Sequence, residues 1–368
     1  MPYFGEDFGE KNLLDLILHM PATINNLFFT KFQQILEKLN FFTLPKEQQK
    51  IAVAVSGGVD SMALAVLLRD FCLHFAIDLS ALVVNHNYRE QSALEAKQVC
   101  QQLQQLNIKN AVLEIAPNLV PTSNIEQKLR QYRYELLLNY CQEKHINYLA
   151  TGHQLDDVAE NFLIRLFRGS GLDGLSAMKN ISHYQNLILL RPLLDFTKQQ
   201  LQQFLQSQNI EWHEDESNAD TKFLRNKIRV FLHSFADYSP IIGRINQTSQ
   251  EIASINDKFN QELLQHSKQI LLWQENFCLL KKSAFNTIQQ ETMLKILALM
   301  LMEIGNKNYK PRKEKLHNYH QYLTCNQQNH QVYKFYNTAT SHHDADFFII
   351  KPLQTSEKQY HRTILRNC

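Results

Sequence analysis

The stretch Ile51 to Ser61, IAVAVSGGVDS, constrains this chain more than any other. Ile51 to Val55 is an apolar run of strand length, and Ser61 to Phe71 continues as a helix. Between them lie Ser56, Gly57, Gly58, Val59, Asp60 and Ser61. A strand feeding a glycine-containing turn that opens a helix leaves main-chain N–H groups free to face an anion, with the positive end of the helix dipole behind them. The glycines let the backbone come close and permit positive φ, and the serines add hydroxyl donors. This is a phosphate site, and not a Walker A loop, because no Gly-Lys-Ser/Thr follows. Two glycines alone would read as an ordinary turn; all six residues in this setting read as a phosphate loop.

At 368 residues the chain is long enough for two or three domains. A hydrophobic share of 44% with 20% charged residues is that of a globular protein, and a formal charge of +2 does not by itself announce a nucleic-acid partner. Any RNA-binding surface has to be local. The six cysteines, Cys72, Cys100, Cys141, Cys278, Cys325 and Cys368, include no CxxC pair, which argues against a zinc ribbon, an iron–sulfur cluster or a dithiol redox site. They read as small hydrophobes in a reducing compartment. The absence of a long apolar run predicts no membrane span, and the acidic, aromatic start MPYFGEDFGEK lacks the order of a signal peptide; both point to the cytoplasm.

Further strands are expected at Leu79–Val84, Ala111–Ile115, Tyr148–Thr151 and Leu187–Leu190, separated by amphipathic helices. Five strands alternating with helices predict an α/β fold, a doubly wound parallel sheet, over about residues 48–195. The expected domains are an N-terminal helical extension over 1–47, a catalytic domain over 48–230, a helical linking domain over 231–305 and a small mixed C-terminal domain over 306–368. Thr23–Asn40 reads as an amphipathic helix without chemistry.

Candidate site residues cluster at predicted strand ends, where open α/β sheets bind ligands. His86 and Arg89 follow the second strand and are assigned to the nucleotide pocket over a structural reading of the histidine. On the helix from Asn124, Glu126 and Arg130 form an i,i+4 pair, with Arg133 and Tyr134 beyond. After the fourth strand, His153, Asp156, Asp157 and Glu160 share one broad face of a helix starting near Gln154. Adjacent carboxylates beside a histidine suit Mg²⁺ held through one or two carboxylates plus substrate phosphates. The plainer reading is that acids in a first turn complement the helix dipole. The acidic loop Trp212–Asp220 precedes Lys222, Arg225, Lys227 and Arg229, and the two can simply self-neutralise. Lys307, Lys310, Arg312, Lys313 and Lys315 form a basic cluster, read on charge alone as a solvated face.

Together these motifs resemble the tRNA(Ile)-lysidine synthetases, N-type ATP pyrophosphatases with a PP-loop. The resemblance rests on SGGVDS at Ser56–Ser61, the His86/Arg89 strand end, Glu126-x-x-x-Arg130-x-x-Arg133-Tyr134, Gly152-His153 through Asp156-Asp157 to Glu160, RLFRGSGLDGLSAM, Arg191-Pro192-Leu193 and the Asn226–Arg229 turn. It covers about residues 48–230, and Asn161 stands where the family has threonine. It implies ATP and Mg²⁺, a CAU-anticodon isoleucine tRNA and free L-lysine as partners; a homodimer is compatible with it. The loop Ser56–Ser61 would cradle pyrophosphate, Asp60 and Asp157 would hold the metal, and His153 and Arg130 would stabilise charge at the α-phosphate. Arg133, Glu126 and Asp156 would contact substrate, with Glu160 assigned to the lysine. The base that deprotonates lysine stays open among Asp156, Asp157 and His153. Rival readings are a tRNA thiolation enzyme, an amidotransferase-type synthetase and a non-catalytic nucleotide or tRNA-binding module.

Overall fold

The computed structural model describes residues 24–87, 91–116, 125–213, 224–235, 237–275, 277–307, 309–325, 333–335, 338–342 and 346–352, and the side chains of Glu126, Tyr333 and His342 lie outside that description. The chain divides into two compact units, Met1–Ala253 and Ser254–Cys368.

In the first unit, helix α1 (Ile24–Lys38) buries Phe28, Phe32, Ile35 and Leu36. Phe32 meets Phe71 edge-on at 4.9 Å between ring centroids, so the helix is part of the core and not an appendage. The chain then runs β1 (Lys50–Val55), α2 (Val59–Phe75), β2 (Asp78–Asn85), α3 (Ser92–Gln105), β3 (Asn110–Glu114), α4 (Ile125–Glu143), β4 (Tyr148–Ala150), α5 (Leu155–Phe167), α6 (Leu172–Leu175), β5 (Ile181–Tyr184), β6 (Leu187–Leu190), α7 (Lys198–Ser207) and α8 (Leu224–His233). Helix α9 (Ser239–Ile270) follows.

The sheet has the order β3-β2-β1-β4-β6-β5. The first five strands are parallel, with Val53 opposite Ala81 on one side and Ala150 on the other. Ile51, Ala52 and Val53 are fully buried because helices cover both faces, which is why β1 reads as a continuous apolar run and not as an alternation. The α2 and α7 residues Leu64, Leu67, Leu201 and Phe204 join α1 in one core cluster, while Leu137, Leu138 and Cys141 of α4 join Leu82, Leu149 and Leu189 in another. The doubly wound parallel sheet expected from the sequence is present.

Two details differ. Helix α2 begins at Val59, two residues earlier than the periodicity predicts, because extended Gly58 is already its N-cap. The consequence is that Asp60 sits in the first helical turn. An antiparallel edge strand, β5, pairs with β6 through a tight turn at Gln185, whose φ is 52°. Four residues, ISHY, carry too little alternation to announce a strand.

The second unit holds β7 (Leu271–Trp273), β8 (Cys278–Lys281), α10 (Ala284–Thr287), α11 (Gln290–Ile304), α12 (Lys313–Cys325), β9 (Tyr333–Phe335), β10 (Thr338–His342) and β11 (Phe347–Pro352). Its antiparallel sheet has the order β7-β8-β11-β10-β9. Leu297, Leu301, Tyr319, Phe348 and Ile350 form its core, and the buried Tyr319 hydroxyl lies 2.6 Å from Thr340 Oγ1. Among the described residues no helix is long and apolar enough to cross a membrane.

Candidate active site at the strand switch

From β1 the chain winds outward through β2 and β3, then returns to place β4 on the other side of β1. The carboxyl ends of β1 and β4 therefore flank the point where the winding reverses, the place where open α/β sheets leave a crevice. Ser56–Ser61 follows β1, and Thr151-Gly152-His153 follows β4.

The loop is built by its own serine and glycines. Ser61 Oγ donates to the Gly58 carbonyl at 3.0 Å and accepts from the Ser56 N–H at 3.1 Å, so this buried hydroxyl closes the loop on itself. Gly57 has φ +86°, and a Cβ there would meet Val99 Cγ2 at 2.6 Å. A side chain there would force Val99 to shift and would sit at a left-handed φ that favours glycine. The Gly57 carbonyl accepts from the His213 N–H at 2.9 Å. Because carbonyl and following N–H of a trans peptide point opposite ways, this bond turns the Gly58 N–H away from His213.

Asp60 stands in the first turn after this loop. Burial, aided by the charge of Asp157 and Asp156 and opposed by Lys198 and Arg229, pushes its carboxyl up to about 7. Its Oδ1 is buried and has no hydrogen-bond partner. An acid that is costly to ionise and has an orphaned oxygen fits a cation. Among the described residues no group of three His, Cys, Asp or Glu side chains is arranged to hold a metal, so such a cation would need ligands from a bound phosphate.

The turn at Gln154 fixes the carboxylates of α5. Gln154 Oε1 accepts from the Asp156 N–H at 2.6 Å while the Gln154 N–H donates to Asp157 Oδ2 at 3.1 Å, a reciprocal capping box. Asp156 is buried and its Oδ2 accepts from the Lys198 N–H at the start of α7, at 3.0 Å. The other oxygen of Asp157 takes Arg225. Glu160, 4% exposed at its side chain, takes Arg225 Nε on one oxygen and Arg229 Nε on the other, each at 2.7 Å. Asp156 and Asp157 do stand in the first turn, as the plainer reading of dipole-complementing acids expects, and beyond that reading Asp157 closes the capping box and joins an ion-pair cluster linking α5 to α8.

Arg225 and Arg229 as partners of these acids are what reading the sequence missed. The signal lay in their spacing: bases at i,i+4 on one helix can meet acids at i,i+3 on another, here Asp157 and Glu160.

Imidazoles and guanidiniums complete the crevice. His153 Nδ1 lies 3.0 Å from Thr151 Oγ1. Burial, then Arg191, Arg130, Arg225 and Arg133, push its ring down to about 3, so it is neutral at working pH. His86, after β2, is pushed down to about 4 by burial and by Arg133. The guanidinium carbons of Arg130 and Arg133 lie 5.3 and 5.6 Å from the Tyr134 ring centroid. Among the described residues neither arginine pairs with a carboxylate. Asp60 thus shares its surroundings with Asp156 and Asp157, and His153 with Arg130 and Arg133; Arg89 and the Glu126 side chain, with Lys222, lie outside the described residues.

A phosphate-type loop at the strand switch, buried carboxylates beside it and arginines lacking acidic partners among the described residues define an anion-handling α/β nucleotide fold. The chain belongs to the PP-loop domain family, which matches residues 26–234. It is 34% identical over 73% of its length to the tRNA(Ile)-lysidine synthase of Orientia tsutsugamushi (strain Boryong), covering 62% of that protein. It is 38% identical over 70% of its length to that of Rickettsia akari (strain Hartford), covering 60%. The chain thus spans somewhat under two thirds of these curated relatives. Among solved structures, the U34-tRNA thiolase NcsA from Methanococcus maripaludis superposes with a TM-score of 0.49 at 19% identity, over 56% of this chain and 72% of that one.

Proposed function

We propose that this protein ligates free lysine to C2 of the wobble cytidine of the CAU-anticodon isoleucine tRNA, forming lysidine with release of AMP and pyrophosphate. The observation that carries the reading is the similarity, over 70% or more of this chain, to proteins named tRNA(Ile)-lysidine synthase. The crevice supports it with groups suited to both steps.

In the first step the C2 carbonyl oxygen of cytidine attacks the α-phosphate of ATP and expels pyrophosphate. Such transfer depends on positioning and on stabilising charge at the phosphoryl oxygens. Gly57, Gly58 and Val59 would offer N–H groups to the departing pyrophosphate, with Ser56 adding a hydroxyl and Ser61 holding the loop in shape. Arg130 and Arg133 would neutralise charge near the α-phosphate. A neutral His153 donates a hydrogen bond there without adding positive charge. His86 belongs to the nucleotide side of the same crevice. When bound, Mg²⁺ would supply Lewis-acid stabilisation of the phosphate charge. Asp60 is its main candidate ligand, with Asp157 the second; Asp157 already accepts two hydrogen bonds but keeps lone pairs.

In the second step the neutral ε-amine of lysine attacks C2 and AMP leaves. A positively charged amine is recognised by carboxylates; Asp156 is the buried acid that no arginine among the described residues holds, whereas Glu160, the acid expected to meet the lysine, carries Arg225 and Arg229 on its two oxygens. Asp157 and His153 are the further candidates to accept its proton, and the burial and arginines that push His153 down to about 3 oppose that role for the imidazole.

The thiolation alternative needs an activated thiolate. Burial pushes the thiols of Cys72 and Cys141 up to about 12 and raises Cys278 and Cys100 as well, which leaves them unreactive at neutral pH. The testing experiment supplies ATP, Mg²⁺, labelled lysine and the CAU isoleucine tRNA. Label is expected in the wobble nucleoside, with stoichiometric AMP and pyrophosphate; sulfur incorporation without lysine would replace this reading by the thiolation one.

A further inference from the structure

Arg191 directly follows β6, the strand next to β4, whose end leads through Thr151 and Gly152 to His153. Both its backbone and its side chain are tied to the segment that contains β5. Its N–H donates to the Asn180 carbonyl at 2.8 Å, and Asn180 Nδ2 donates back to the Arg191 carbonyl at 3.1 Å. Its Nη1 donates to the Lys179 carbonyl at 3.0 Å and to Ser182 Oγ at 2.8 Å. These acceptors are neutral, so they aim the guanidinium without cancelling its charge.

The Nε atom is buried and has no hydrogen-bond partner. A buried donor of a charged group left without an acceptor is costly, and no carboxylate among the described residues pairs with this arginine. Its surroundings add to the imbalance. After burial itself, Arg191 is the strongest influence keeping His153 unprotonated, ahead of Arg130, and Arg130 in turn acts on Arg191. Asp156, Asp157 and Glu160 are held instead by Arg225, Arg229 and main-chain N–H groups. Among the described residues, Arg191 after β6, Arg130 and Arg133 of α4 and the neutral His153 after β4 therefore have no carboxylate partner.

We propose that Arg191 binds a phosphate oxyanion in this crevice, offering Nε while Nη1 stays fixed on the β5 segment. Edge strand β5 thereby sets the direction of this arginine. The proposal rests on the reading of the crevice as the meeting place of ATP and RNA, which supplies two sources of one chemistry, a nucleotide phosphate and an RNA backbone phosphate.

The experiment compares full-length wild type, Arg191→Gln and Arg191→Lys for binding of ATP by calorimetry, and of an RNA hairpin carrying a CAU loop by filter binding across salt. Glutamine keeps an amide donor for the Lys179 carbonyl and removes the charge. Arg191→Gln is expected to weaken one ligand about ten- to hundredfold at unchanged melting temperature, and Arg191→Lys to weaken it less. Loss for ATP alone assigns the nucleotide phosphate; loss for RNA alone, with a salt slope shallower by about 0.7, assigns the backbone. Ser182→Ala, which removes one anchor and leaves the charge, gives a second measurement and should weaken the same ligand severalfold. Unchanged affinity for both ligands overturns the proposal, and so does an equal loss of both with a lowered melting temperature, the mark of a strut. Lysine ligation is not the readout, so failure of the proposed reaction would be seen separately.

Discussion

A Cβ built on Gly152 would lie 3.0 Å from both the Asp60 carbonyl carbon and the Ser61 amide nitrogen. The end of β4 therefore rests on the first turn of α2 with no room for a side chain, and the two strand ends that flank the crevice are locked at van der Waals distance. The obstructing atoms are backbone, so they cannot rotate away. Gly152→Ala is expected to cost about 1–3 kcal/mol of stability and to lower ATP affinity by displacing Asp60. Gly57→Ala should behave alike, since it adds a left-handed φ to a clash with Val99. Gly171 has open space and φ −79°, so Gly171→Ala meets no clash and is the control; as the N-cap of α6 it should cost under about 1 kcal/mol. Urea unfolding with parallel ATP titration separates these outcomes; equal stability of all three variants would refute the packing argument.

Asp60 is expected to trade stability for function. Its folded value of about 7 lies above the ordinary carboxylate value, so its ionised form destabilises the native state above pH 7. That penalty fades as pH falls from 7 towards 4, where the carboxyl is protonated in both folded and unfolded chains. Asp60→Asn should thus be more stable than wild type at pH 8 by roughly 2–4 kcal/mol, with the gap closing on acidification, while losing nearly all adenylation. His153 carries the opposite sign: its lowered value means that stability falls as pH drops below about 6.5, and His153→Gln should soften that fall. Unfolding curves at pH 8, 6 and 5 check both; a pH-independent gap for Asp60→Asn would show that its carboxyl is not perturbed.

The cluster of Asp157 and Glu160 with Arg225 and Arg229 should hold α8 against α5. Glu160→Gln removes the acid shared by two guanidiniums and is expected to cost about 2–3 kcal/mol, below the fully buried range because both arginines are partly exposed. Lys31 and Asp195, 2.7 Å apart but each about one-third exposed, form the comparison, and Lys31→Ala should cost under about 1 kcal/mol. Thermal unfolding of the two variants decides; equal, small effects would mean that α8 is held by Ile228, Leu232 and their apolar neighbours alone.

How much of this is legible in the sequence follows from the range of each interaction. The loop Ser56–Ser61, the five parallel strands and the capping of α5 are set by neighbours in sequence, and periodicity and turn chemistry carry them. The pairing of Glu160 with Arg225 and Arg229 joins residues 65 and 69 positions apart, and the spacing within each helix shows that such a match is possible without saying that these two helices meet. No local pattern encodes the Gly57 carbonyl meeting the His213 N–H. Ser61 shows the opposite error: as a hydroxyl in a phosphate loop it reads as a ligand donor, yet its bonds to Gly58 and Ser56 make it the clasp of that loop. Gly152 is visible as a motif letter, but its steric reason needs the neighbouring helix.

The basic cluster of the second unit yields the last expectation. Lys310, Arg312, Lys313 and Lys315 are exposed, and Lys313 and Lys315 stand in the first turn of α12 with Glu314 between them. Cations at the positive end of a helix are unfavourable by about 0.3–1 kcal/mol each at low salt. Folding alone gives no reason for that placement, whereas a polyanion lying across the helix start would reverse its sign. The triple variant Lys310→Ala, Arg312→Ala, Lys313→Ala is therefore expected to bind tRNA more weakly, with the salt slope of binding shallower by about 0.9 for each phosphate no longer neutralised. Its melting temperature should be unchanged or raised, and its ATP affinity should match wild type. Binding measured across salt concentrations distinguishes this from a solvated face: if wild type and variant share both affinity and slope, the cluster takes no part in holding RNA.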